Sequence, residues 1–410
     1  MTEQTRTTAS MTSRAAGPAG AGVALVIGFV AVSLNSRVAF GQIGPLAPVS
    51  SFGSSTVTVL GVLPPALMGV CAPATRWARR HLGDDRTLVL ASAVLLVGCL
   101  VRPFGLVGLL LGTAIVAAAT ALINVVIPVV VRTRFPASAT GIMMGVYAVC
   151  MGVGSAVVAV MMVPIAHATG SWPPAIAVAI VPAALAAVAI GPQWRSSRPV
   201  VATAHARTDP PYRSALGWSL LCFFGIQTLL FYAVLAWLST ILVAGGTAVG
   251  TAGAAQSCFI VGVGIGGFVA PALAGRRGEH RPHILAVIAV CALGLTSVLL
   301  AHGAATIVAA TVLGAGLGGG QSLPGVLYAH RGKTPDRIAA LSTFAQTGGY
   351  LLAATGPVLL ACLHALSGSW RVPVIVLMGL LAANAILAVR AGHDGRTAAR
   401  GPASAVTNPS

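Results

Sequence analysis

The feature that most constrains this chain is a succession of long apolar blocks, broken by short polar or basic connections, running from about residue 22 to residue 390. A bilayer core about 30 Å thick takes roughly 20 apolar residues to cross as a helix. In hydrocarbon every backbone amide and carbonyl must be satisfied within the chain, so such blocks fold as helices rather than as open strands. Twelve blocks fit. In the first half they lie at about 22–49, 54–75, 86–102, 105–131, 139–167 and 172–191. In the second they lie at about 215–242, 250–274, 283–301, 304–329, 338–366 and 371–390. With 8% of the 410 residues charged and 56% hydrophobic, a soluble globular protein is excluded and an all-α membrane protein is expected. The first block is too long for a signal-peptide core and lacks a cleavage site, so it is expected to stay as a span.

The charge is lopsided, with 24 Lys and Arg against 7 Asp and Glu. Only 5% of residues are aromatic and the apolar residues come in blocks, so stacking platforms for nucleic acid are missing. The basic residues report orientation instead. If both termini are cytoplasmic, the inside segments hold Arg6 and Arg14, Arg76 to Arg86, Arg132 and Arg134, and Arg195 to Arg213. The second half adds Arg276, Arg277 and Arg281, then Arg331, Lys333 and Arg337, then Arg390, Arg396 and Arg400, for 21 of the 24. Only Arg37, Arg102 and Arg371 remain, as the preference for positive charge inside requires. The expected setting is the cell's inner (plasma) membrane, crossed many times.

The two halves can be superposed. Ala72-Pro73 matches Ala270-Pro271, Pro128 matches Pro324, and HATGSW ending at Trp172 matches HALSGSW ending at Trp370, at offsets of 198, 196 and 198 residues. Six spans per half insert both copies the same way up. The expected organisation is a disordered tail at 1–21, a six-helix bundle at 22–190, a proline- and arginine-rich linker at 191–214, a second bundle at 215–390 and a tail at 391–410. Two six-helix pseudo-symmetric bundles with a central loop are the major facilitator architecture.

Particular runs resemble one family. NSRVAFGQIGPLAPV from Asn35, GIQTLLFYAVLAWLSTIL from Gly225 and the stretch from Leu341 to Trp370 are similar to signatures of the cyanate permease and 2-nitroimidazole transporter family, with NVVIPVVVRTRFP from Asn124 as a weaker match. The resemblance implies a transporter of a small anion or small polar nitrogen compound working by alternating access. It implies no enzymatic activity, no cofactor and a monomer in the lipid bilayer. An exporter of apolar drug-like compounds on the same fold is the alternative, and a non-transporting sensor fits less well. In the family the basic loop after the second span latches the inward side. That makes Arg76 and Arg80 gating candidates here, although topology alone also accounts for their charge.

The chemistry available inside the spans is limited. All seven acids (Glu3, Asp84, Asp85, Asp209, Glu279, Asp336 and Asp394) fall in tails or cytoplasmic connections, so carboxylate catalysis, carboxylate metal sites and acid proton relays lack their parts. The seven cysteines sit in apolar blocks without metal-ligand spacing and read as small hydrophobes, and no metal site is expected. His167, His302, His364 and His330 fall near span ends, where interfacial roles are common. Arg37 is the exception. A cation in the middle of a span costs about 2.5–3.5 kcal/mol on insertion scales and has no membrane acid to pair with. Either it faces a water-filled cavity and binds an anionic or dipolar substrate, or backbone carbonyls near Gly41 and Pro45 satisfy it, or it snorkels outward.

Other polar residues are sorted by helical spacing. Ser342, Gln346 and Tyr350 form one stripe, Thr228 and Tyr232 share a face with Gln227 adjacent, and Asn124 and Gln321 occupy matching places in the two halves. The candidate substrate contacts are therefore Arg37, Asn35, Asn124, Tyr147, Gln227, Tyr232, Gln346 and Tyr350, against the bland role of hydrogen-bonded glue between helices. Asn35 and Arg37 lie about 200° apart on a straight helix, so both face one cavity only if the helix bends. Arg102, before Pro103, is either an entrance group or a snorkelling anchor. The GxGxxG runs at Gly314 and Gly262 lie in apolar blocks with no preceding strand, so they indicate close helix packing rather than dinucleotide binding. Gly319 and Pro324 are hinge candidates.

Overall fold

The computed structural model describes residues 18–41, 54–196, 210–275 and 279–392. The first half holds α1 (Pro18–Asn35), α2 (Ser54–Cys71), α3 (Asp84–Val101), α4 (Gly105–Arg134), α5 (Thr140–Thr169) and α6 (Trp172–Ala177, resuming as Ile180–Ile190). The second holds α7 (Ala215–Ala244), α8 (Val249–Ala274), α9 (Arg281–Leu300), α10 (Ala305–Arg331), α11 (Pro335–Ala354, resuming as Gly356–Ser367) and α12 (Arg371–Gly392). Among the described residues ten helices are long and apolar enough to cross a membrane. An eleventh is α2 with the short helix Ala74–Leu82, bent by 52° at Ala72-Pro73, where proline removes a backbone donor. The remaining one, α3, has 18 residues and rises about 27 Å, but Asp84, Asp85 and Arg86 charge its first turn.

Of the first expected span, 22–49, residues to 41 are described. Its helix breaks at Ser36–Arg37 and resumes at Val38–Gly41, while residues 42–53, Pro45 among them, lie outside the described residues. The reason is local. Ser33 Oγ donates to the Phe29 carbonyl at 2.6 Å and Ser36 Oγ to the Ser33 carbonyl at 3.0 Å, offering the backbone alternatives to the helical ladder. The exposed carbonyls are then taken by neighbours: Thr120 Oγ1 of α4 donates to Ser36 O at 3.1 Å and Ser155 Oγ of α5 to Arg37 O at 3.3 Å. The tails beyond 18 and 392, linker residues 197–209 and the basic pair Arg276 and Arg277 also lie outside the described residues.

The repeat extends to individual bonds. Gly170 and Gly368 both take φ of 66° in the left-handed region, ending α5 and α11 at the two copies of the repeated motif. Beside them Thr169 Oγ1 donates to Ile165 O and Ser171 O, and Ser367 Oγ donates to Leu363 O and Ser369 O, each pair at the 198-residue offset.

The glycine runs are packing faces. A Cβ at Gly266 would lie 1.8 Å from Ala315 O, one at Gly314 2.1 Å from Phe259 O and one at Gly318 2.1 Å from Val263 O, so α8 and α10 touch backbone to backbone. The two bundles meet through α5 on α8 and α2 on α11, pairings that the repeat relates to each other. Gly141 seats on the Pro271 carbonyl and Gly275, and Gly69 on the Thr347 carbonyl and Leu351. A cavity remains between the bundles.

Candidate functional site

The break in α1 turns Arg37 toward the second bundle. Its Nη2 donates to the Tyr350 hydroxyl of α11 at 3.2 Å and its Nη1 reaches Gln321 Oε1 of α10 at 3.5 Å. The alternative of backbone carbonyls near Gly41 and Pro45 falls partly outside the described residues; the described bonds of the guanidinium go to side-chain oxygens. Asn124 of α4 donates through Nδ2 to the same Tyr350 hydroxyl at 3.0 Å and accepts through Oδ1 from the Tyr147 hydroxyl of α5. Gln346 Nε2 donates to the Asn124 carbonyl at 3.1 Å and to Ser342 Oγ at 2.8 Å. Five elements, α1, α4, α5, α10 and α11, thus converge on one polar network that crosses the bundle boundary.

These groups line a cavity of about 80 Å³. Its polar wall holds Arg37, Asn124, Tyr147, Gln346 and Tyr350, with Gln321, Ser322 and Tyr328, and its apolar wall includes Met144, Met151, Phe224 and Phe231. About 10–15 Å³ on this measure holds one water, so the space suits a solute of a few heavy atoms or several waters. Arg37 Nε, Gln321 Nε2 and the Tyr328 hydroxyl are buried without hydrogen-bond partners, leaving the wall with donors to spare. A guest that accepts hydrogen bonds would satisfy them, and buried unpaired donors are costly otherwise.

The charge around the site has one sign. The acids among the described residues are Asp84, Asp85, Glu279 and Asp336, and their ion pairs are with Arg79, Arg134 and Arg281 at the end of the molecule that carries the basic connections. Arg37 is held by neutral oxygens alone among the described contacts.

Three candidates are not among the residues lining the cavity. Asn35 is buried with its Oδ1 unpartnered and is absent from the cavity wall, since the break sends Arg37 and Asn35 in different directions. Gln227 is fully buried behind the site, against Gly320 and accepting from Cys291 Sγ at 3.6 Å. Tyr232 packs edge-on to Phe231, itself a wall residue, and against the cluster that holds Tyr350, close to Arg37. Gln321 completes the site, and its match to Asn124 at offset 197 is the signal that points to it.

The gating candidates also divide. Arg102 is fully buried at the C-terminal end of α3 against α4, its Nε donating to Thr113 Oγ1 at 3.2 Å and its stem resting on Gly112. Arg76 and Arg80 are exposed on the short helix Ala74–Leu82. The buried arginine there is Arg79, which pairs with Asp84 and reaches Asp336 at the start of α11 at 3.5 Å, tying the two bundles. Gly319 packs on Ala270 and Val287, and Pro324 lines the cavity within α10. His364 stacks on Trp370 with centroids 4.1 Å apart, and Trp237 Nε1 donates to Pro357 O at 2.9 Å, bracing the outer part of α11.

Comparison with known proteins agrees with this architecture. The model of the Major Facilitator Superfamily matches residues 15–357. The 2-nitroimidazole transporter of Escherichia coli strain K12 is 29% identical over 384 residues, covering 91% of this chain and 96% of the relative. The cyanate transport protein of the same organism is 25% identical over 370 residues, covering 87% and 95%. Among solved structures, the E. coli fucose:proton symporter superposes with a TM-score of 0.69 at 13% identity, over 91% of this chain and 100% of that one.

Proposed function

Starting from the fact that the chain belongs to the Major Facilitator Superfamily and is a multi-pass membrane transporter of a small molecule, we propose that its substrate is a small anion or small polar nitrogen compound, cyanate-like or nitroimidazole-like. The observation that carries this is Arg37, a guanidinium turned into a cavity of about 80 Å³ and held by Tyr350 and Gln321, with no carboxylate beside it among the described residues. Five donors in a planar fork suit a carboxylate-like or linear anion and equally a nitro group. In this proposal Arg37 is the principal contact, with Asn124, Tyr147, Gln321, Gln346 and Tyr350 around the guest. The size of the cavity and its surplus of donors weigh against large apolar drugs.

The transport cycle is rocking of the bundles at 22–190 and 215–390 about this site, with the linker 191–214 and both termini on the cytoplasmic side of the inner membrane. The protein acts as a monomer. The distribution of basic residues supports that orientation, and the contacts of Arg79 support a latch on the cytoplasmic side.

Replacing Arg37 by Gln tests the assignment. Uptake of labelled cyanate into proteoliposomes should fall at least about tenfold, as expected when a charged hydrogen-bond donor worth roughly 1.5–3 kcal/mol is lost. Gel filtration checks that the variant is folded. Unchanged uptake by a folded variant would refute the role of Arg37, and competition among cyanate, nitrate and 2-nitroimidazole ranks the substrate classes.

A further inference from the structure

We propose that the carrier works as an anion exchanger, returning across the membrane with a second anion rather than empty. The inference rests on the reading that a small anion binds at Arg37. Its basis is the charge that must move with the cavity. No acid in the sequence falls within a membrane helix beyond the first turn, and the described ones cluster at the end that carries the basic connections. Arg102, buried at the end of α3 against α4, is not among the residues lining the cavity. The site therefore carries one positive charge when empty and none when it holds a monovalent anion.

Occluding the empty site takes an uncompensated guanidinium out of bulk water. A buried cation stripped of its counter-charge is disfavoured by roughly two to four decades in occupancy. Tyr350 and Gln321 offset part of this with neutral oxygens, as does any cavity water. A second anion removes the whole penalty.

Proton coupling offers no escape through the cavity wall. Its titratable groups besides Arg37 are the phenols of Tyr147, Tyr328 and Tyr350, with that of Tyr232 next to them, and among the described residues neither histidine nor carboxylate lines it. A phenol with a reference value near 10 stays protonated at neutral pH and brings no negative charge. Net flux also differs in its electrical character. A step that moves one charge through the whole field is biased about fifty-fold by 100 mV, whereas one-for-one exchange of like anions moves no net charge.

The test uses the full-length wild-type protein. Cyanate, nitrate, nitrite, formate and acetate are first ranked by how far each raises the melting temperature of the purified transporter. The best of them is labelled and its entry measured into proteoliposomes in a gluconate medium, loaded or not with the same unlabelled anion. Entry into loaded vesicles should be at least about tenfold faster and indifferent to a potassium potential of about 100 mV set with valinomycin, while entry into unloaded vesicles should follow that potential. Equal rates in loaded and unloaded vesicles, or acceleration by an inward proton gradient to the exchange rate, would overturn exchange while leaving the anion site standing. If none of the five anions raises the melting temperature or enters either set of vesicles, the anion reading of Arg37 falls and exchange falls with it.

Discussion

Gly141 is the position where one methyl group should move the balance of the whole cycle. A Cβ built there lies 2.3 Å from the Pro271 carbonyl oxygen and 2.7 Å from Gly275 Cα, both of them backbone atoms that no rotamer change can withdraw. Ordinary contact begins near 3.5 Å, so in Gly141→Ala α5 and α8 must part by about 1 Å where they now touch. Overpacking of this kind costs about 1–3 kcal/mol. It burdens only the conformation in which the two helices meet, which corresponds to a roughly five- to 150-fold shift toward the state open at this end. The helix-forming advantage of alanine over glycine, about 1 kcal/mol, is present in both conformations and cancels. Hydrogen exchange of the amides in Ala74–Leu82 and in the first turns of α11 reads the shift, since both segments carry the Arg79–Asp336 contact. Gly152→Ala, on the same helix with nothing within 4 Å, is the control. Wild-type exchange in a folded Gly141→Ala protein, or an equal rise in the control, would refute the reasoning.

Two further outcomes follow from the same geometry. Arg79→Gln should raise exchange at the start of α11 by only a few-fold, because Asp336 is 71% exposed and such a pair contributes about 1 kcal/mol or less; Arg76→Gln and Arg80→Gln, at exposed positions, should leave it unchanged. Gln227→Met should change the melting free energy by less than about 1.5 kcal/mol and leave substrate affinity alone, since a volume-conserving swap removes an amide whose Nε2 has no partner. Gln346→Met, measured by the same binding and melting assays, should instead weaken binding by about tenfold.

Much of the architecture is legible in the sequence because hydrocarbon leaves so few solutions: long apolar blocks can only be helices, and the repeated Gly170 and Gly368 mark matching helix ends. The break at Ser36–Arg37 is harder to read. It depends on Ser33 and Ser36 bonding back to their own helix and on Thr120 and Ser155 arriving from two others, which no local pattern announces. The rotation of each helix about its axis is likewise set by its neighbours. That is why Gln227 and Tyr232, polar and well placed along α7, end outside the cavity wall while Gln321 lies in it. Arg79 was within reach of pattern alone. The buried positions of its short helix are Thr75, Ala78 and Arg79, the spacing of one amphipathic face, whereas Arg76 and Arg80 fall on the other.

Both halves supply the Arg37 network, Arg37, Asn124 and Tyr147 from the first and Gln321, Ser342, Gln346 and Tyr350 from the second. Only one of the halves supplies a charge. At the 197-residue offset that aligns Asn35 with Tyr232, the counterpart of Arg37 is Val234, an apolar residue buried in the second bundle. Two identical copies of the first half would bring two guanidinium groups to one small cavity and favour a divalent guest. The divergence of the copies at this position leaves one fixed cation per molecule, and under the proposed anion reading that cation is matched by one unit of negative charge on each anion carried.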